Sequence, residues 1–218
     1  MATPRMPLAE FESRDSSVYE QIECRLVRTE GGPPRLAGHA AVFNQLSKKM
    51  PTGRGFFRER MMPGAFADSI ASDDILAHWN HNTDIVLGRT SSRTLRLSED
   101  ATGLAFELDL PDTQAGRDAQ ALIERGDVRQ MSFGFRVLGP DGDSWTSEDG
   151  EDVRSVKRVQ LFEVSPVPYP AYPQTDVAAR SFESWRAATT LEAAVVALPA
   201  AADKRQELDR RQLFASID

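Results

Sequence analysis

The chain has 218 residues, 40% hydrophobic and 27% charged, enough apolar content for one domain of ordinary size with a sizeable core. Its formal net charge of −7 argues against a general nucleic-acid binder, which needs a phosphate-neutralising surface. The single cysteine, Cys24, excludes an internal disulfide framework and a multi-cysteine zinc site, and it points to an intracellular origin.

Taken in order, residues 1–17 carry prolines and mixed charges without the apolar core of a signal peptide, and they read as a flexible leader. No stretch approaches the roughly 20 apolar residues of a membrane span, so no membrane partner is expected. Residues 19–28 alternate Ile22, Cys24 and Leu26 with polar neighbours, the pattern of a first strand, in which Cys24 is an ordinary strand position before it is a nucleophile. Gly31-Gly32-Pro33-Pro34 turns the chain into a second strand over 36–43. Residues 44–55 follow as a loop whose Lys48, Lys49 and Arg54 make either a solvated surface or a docking patch for an acidic partner. Pro63 is placed to start a short helix over 65–70. Residues 75–79 form a brief strand that delivers Asn80-His81-Asn82 to its end, ahead of another apolar run over 85–90. Residues 94–97 and 104–110 alternate cleanly about a turn-rich joint and predict a hairpin.

Thr113 is an N-cap candidate, Ala119, Leu122 and Ile123 supply an apolar stripe, and Gly126 fits the position just past a helix end. Residues 130–137 then form a strand with Met131, Phe133, Phe135 and Val137 on one face and Ser132, Gly134 and Arg136 on the other. The second face is too bare to fill a core and exposes a hydroxyl. Residues 139–152 are acidic and glycine-rich and read as a loop, and 156–164 form a last strand stopped by Pro166, Pro168, Pro170 and Pro173. From about 182 the chain is alanine-rich and helical in pattern, with an amphipathic stretch over 191–198. The domains expected are therefore a leader over 1–17, a folded domain over 18–180 and a helical tail over 181–218. The absence of βαβ alternation predicts an α+β fold built on a small, largely antiparallel β-barrel with helices packed outside. No glycine-rich phosphate loop, His-Glu-x-x-His helix or paired metal-ligand spacing is present, so neither cofactor nor metal is expected.

If the 130–137 and 156–164 strands pair symmetrically across the acidic loop, Glu163 falls opposite Ser132 on the same face, and Phe133 falls opposite Phe162. Loop length leaves that register open by several residues, but the parity puts a carboxylate and a hydroxyl on one bare surface. The chain has three histidines, His39, His78 and His81. His39 lies inside a strand and reads as structural, whereas His81 stands at a strand end. A hydroxyl activated by an imidazole, itself oriented by an acceptor on its other nitrogen, needs three such groups. Ser132, His81 and Glu163 fill those roles in order, with Asp84 or another acid as the alternative for the third.

Gly38-His39-Ala40-Ala41-Val42-Phe43, Met62-Pro63-Gly64-Ala65-Phe66, Asn80-His81-Asn82 with Leu87-Gly88-Arg89-Thr90, Met131-Ser132-Phe133-Gly134-Phe135, and Leu161-Phe162-Glu163-Val164-Ser165-Pro166-Val167 with Pro170-Ala171-Tyr172 occur in series over residues 20–176. In this the chain resembles the tailed-bacteriophage prohead maturation proteases. The resemblance implies a serine endopeptidase with a fold similar to the herpesvirus assemblins, a small β-barrel surrounded by helices. It also implies packaging inside a procapsid in the host cell cytoplasm, with the major capsid protein or its scaffold segment as substrate, and then the protease itself. Self-association is left open. The family's histidine falls on His81 and its serine on Ser132. Assemblins carry a second histidine as third member, and this chain has none after His81, so Glu163 takes that place. Asn82 stands where the family often has Asp. A reading from another class is a scaffold or capsid-assembly factor that keeps the fold without turnover.

Overall fold

Alternating apolar positions drive most of the chain into strands, as the computed structural model shows for residues 12–15, 24–28, 32–52, 55–168 and 185–190. The chain divides into two units, Met1–Arg180 and Ser181–Asp218. In the first, β1 (Glu12–Asp15), β2 (Cys24–Val27), β3 (Arg35–Val42), β4 (Met50–Thr52) and β5 (Gly55–Met61) precede helix α1 (Ala67–Ser72). Strands β6 (Leu76–Trp79), β7 (Asn82–Arg89), β8 (Leu95–Glu99) and β9 (Gly103–Asp109) precede helix α2 (Gln114–Glu124). Strands β10 (Gln130–Val137), β11 (Asp143–Glu148), β12 (Glu151–Val156) and β13 (Val159–Val167) complete it. Of the second unit, residues 185–190 are helical; the rest of the expected tail, including 191–198, lies outside the described residues.

The fold is a strand-dominated α+β arrangement of three sheets, ordered β1-β10-β13-β6-β7, β11-β12-β5-β4 and β2-β3-β9-β8. The expected barrel is therefore corrected: among the described residues no ladder closes on itself. Two pairings, β12 with β5 and β13 with β6, are parallel. Parallel neighbours require long crossover connections, which a simple meander lacks and strand counting did not register. The joints between sheets include a bridge between Phe43 and Met61 and a 2.7 Å bond from the Cys24 N–H to the Arg129 carbonyl.

Two further expectations change. The acidic stretch after β10 is a hairpin, β11 with β12, paired from Asp143 with Val156 to Glu148 with Glu151. Its turn is Asp149-Gly150, both with positive φ, the Asp-Gly pair favoured by a type I′ turn. Pro166 does not stop β13, which runs to Val167; held by β10 on one side and β6 on the other, the strand survives the loss of one donor. Residues 12–15, within the expected leader, form β1 beside β10.

The core lies behind the apolar face of β10. Phe133 and Phe135 stack at 5.4 Å, Phe66 meets Phe133 edge-on at 5.6 Å, and Phe43 stacks on Phe66 at 6.2 Å. The Met62-Pro63-Gly64-Ala65-Phe66 motif thus has a packing role: Glu99 accepts the Gly64 and Phe66 N–H groups at 2.8 Å each and delivers the Phe66 ring to the core. The β8–β9 hairpin and α2 form as expected. Thr113 Oγ1 accepts the Gly116 N–H at 3.2 Å, and Gly126 has φ +80° just beyond the helix end. No described helix is long and apolar enough to cross a membrane.

Candidate active site

Strand β10 is fixed between β1 and β13, and its apolar side is anchored by Met131, Phe133 and Phe135, each fully buried. Ser132 pairs with Ser165 across the antiparallel ladder, and Gly134 pairs with Glu163. The expected register was short by two residues. Because the error is even, the parity holds: Ser132, Gly134, Glu163 and Ser165 share one face. The same two-residue offset replaces the expected pairing of Phe133 with Phe162 by Phe133 with Val164, and the ladder shifts only beyond that, between Gly134 and Phe135.

His81 reaches this face from the adjoining strand. Strands β6 and β7 pair antiparallel, with Trp79 opposite Asn82, leaving Asn80-His81 as a two-residue turn. Both turn residues have positive φ, 51° and 59°, the geometry of a type I′ turn in which the second position favours glycine. β6 runs parallel to β13, so the turn ends beside Ser165 and Pro166. The Asn80 N–H donates to the Pro166 carbonyl at 3.1 Å, and the His81 N–H donates to Ser165 Oγ at 3.3 Å. From this position His81 Nδ1 lies 2.6 Å from Glu163 Oε1. The imidazole keeps partial exposure, 25%, whereas Glu163 is 6% exposed.

The remaining candidates are set apart by their surroundings. His78 is buried, with Nδ1 3.9 Å from Glu163 Oε2 and without a hydrogen-bond partner. Burial pushes its imidazole below the ordinary histidine range; Glu163 opposes that shift and His81 adds to it. His39 lies on β3, where Nε2 meets Asp100 at 2.8 Å. Asp84, the alternative acid, is exposed, and its N–H is tied to Asn82 Oδ1. Burial pushes the Cys24 thiol up to about 12, which leaves it protonated and unreactive at neutral pH. In the basic loop, Lys49 pairs with Glu151 at 2.6 Å.

Two features of the site differ from the sequence reading. Ser132 is 0% exposed, not displayed on a bare surface. Its strand is interior, and its small-residue face is shared with Glu163 and Ser165 of β13. Ser165 also went unnoticed as a site residue: its hydroxyl donates to Glu163 Oε2 at 2.5 Å. The alternation of Glu163, Ser165 and Val167 carried that signal once the strand was continued through Pro166.

A hydroxyl, an imidazole and a buried carboxylate on one sheet face, with the imidazole nitrogen bonded to the acid, are the elements of acyl-transfer chemistry. A family model described as Caudovirus prohead serine protease matches residues 20–188 of the chain. No curated protein and no solved structure matches it.

Proposed function

The chain belongs to the caudovirus prohead serine protease family, and from that premise we propose that it is a serine endopeptidase of capsid maturation with Ser132, His81 and Glu163 as its catalytic residues. The observation that carries this reading is the 2.6 Å contact of His81 Nδ1 with Glu163 Oε1, on the sheet face that also holds Ser132. With Nδ1 donating to the carboxylate, Nε2 is the ring nitrogen that carries the lone pair and can act as a base. Ser132 Oγ attacks the scissile carbonyl while His81 Nε2 takes its proton. The imidazolium, stabilised by Glu163, then returns that proton to the leaving amine, and water repeats the cycle on the acyl-enzyme. The substrates are the capsid precursor or its scaffold segment, and the chain itself, inside the procapsid. Histidine, serine and third member follow the chain order implied by the assemblin likeness, with a carboxylate in the third place.

Residues 18–180 are read as the protease domain and 181–218 as a tail for scaffold targeting or self-removal. The full burial of Ser132 requires that something move off the β10 face before a substrate strand can enter. That same burial favours one other reading, a capsid-assembly factor without turnover. Co-expression with the cognate capsid protein, followed by intact-mass measurement of both chains, separates the two. A protease shortens the capsid precursor, and Ser132→Ala stops this. An assembly factor leaves both masses unchanged while capsids still form with Ser132→Ala.

A further inference from the structure

We propose that Ser165 is a positioning residue for the His81–Glu163 pair, its single hydroxyl holding both members at once; the proposal rests on the serine-protease reading above. A hydroxyl has one proton to give and two lone pairs to receive with. Ser165 uses both capacities, donating to Glu163 Oε2 at 2.5 Å and accepting the His81 backbone N–H at 3.3 Å. It touches the carboxylate at the oxygen opposite the one that meets the imidazole, and it touches the histidine at its backbone, away from the ring.

Each bond answers a need visible in the site. Glu163 is buried, and its Oε2 also faces His78 Nδ1 at 3.9 Å, too far for a hydrogen bond. A carboxylate with one oxygen unfilled in that setting gains by rotating toward His78 and away from His81. His81, for its part, occupies a left-handed conformation that is unfavourable for a non-glycine residue. Such a conformation persists only where the surroundings hold it, and the Ser165 bond is one of the ties from the turn to β13. Ser165 is itself fully buried and placed opposite Ser132 by the ladder, so the strand, not solvent, fixes where its hydroxyl sits.

The test is cleavage of purified capsid precursor by the full chain carrying Ser165→Ala, Ser165→Thr, Glu163→Gln, and Ser165→Ala with Glu163→Gln. The expected result for Ser165→Ala is a kcat lower by about 100-fold, the cost of a misplaced catalytic group, with KM little changed. Ser165→Thr restores most of the rate. Because Ser165 and Glu163 hold the same imidazole in place, their losses do not multiply, and the double variant is slower than Glu163→Gln alone by far less than 100-fold; a purely structural serine gives losses that multiply. If Ser165→Ala fails to fold, the comparison of Ser165→Thr with Ser165→Val decides, since those side chains match in size and differ in the hydroxyl. A Ser165→Ala enzyme with wild-type kcat, multiplying losses, or Thr and Val variants of equal rate would overturn the proposal. Retained cleavage in Ser132→Ala would instead overturn the protease reading on which it rests.

Discussion

His81 stands where a type I′ turn favours glycine, and a residue held against its backbone preference is evidence that the side chain matters more than the turn. The placement of Glu163 on the Ser132 face was legible in the sequence because strand parity survives an even error in register of two residues. Ser165 was not legible, since its role appears only when the true register sets it opposite Ser132. The burial of Ser132 was likewise hidden, because a strand's own residues do not say which strands flank it. At this scale the account predicts that Glu163→Gln retains a reduced rate, lower by roughly 100- to 10,000-fold, as orientation is degraded while the nucleophile stays. His78→Ala changes the rate far less, because His78 stands 3.9 Å from Glu163, beyond hydrogen-bond reach, and burial disfavours its charged form. Steady-state cleavage of the capsid precursor by the two variants checks both statements.

Among the elements, the β8–β9 hairpin and α2 were readable from alternation and caps, whereas the β11–β12 hairpin was not. Its inner positions are filled by Asp152, Arg154 and Ser155 as well as valines, so apolar alternation was too weak to reveal it. The Asp149-Gly150 turn was the surviving signal. Polar side chains also tie β3, β9 and β8 together: Asp109 accepts from Arg96 at 2.8 and 3.0 Å and from Arg35 at 2.7 Å. The Arg96 hydrogen bonds, opposed by partial burial and aided by Arg35, hold the Asp109 carboxyl down to about 2, against an ordinary value of 3.8. A folded pKa below the unfolded one contributes stability above pH 3.8, and that contribution is lost as pH falls from there through about 2. Thermal melts across that window should show the wild type losing stability more steeply than Asp109→Asn.

For the whole molecule, the tie between the five-stranded sheet and the β11-β12-β5-β4 sheet is ionic. Arg154 of β12 is 2% exposed and binds Glu12 of β1 at 2.6 Å, Glu59 of β5 at 3.1 Å and Asp143 of β11 at 2.7 Å. Sequence patterning predicted a barrel that the three sheets do not form, and it gave no sign of this cluster, because its four members are scattered across the chain. Removing the arginine strands buried carboxylates, so Arg154→Ala should cost about 3–5 kcal/mol in urea unfolding; a loss below about 1 kcal/mol would show the cluster to be dispensable. The tail belongs to the same scale. A chain truncated after Asp176 should still cleave a capsid-derived peptide, and a folded but inactive truncation would show that the tail takes part in catalysis. The most direct test of the central claim is to treat the purified protein with a fluorophosphonate and locate the adduct by peptide mass mapping. The account predicts one phosphonylated residue, Ser132, and no labelling in a folded His81→Ala variant; a protein that processes its capsid precursor yet carries the adduct elsewhere, or none, would contradict it.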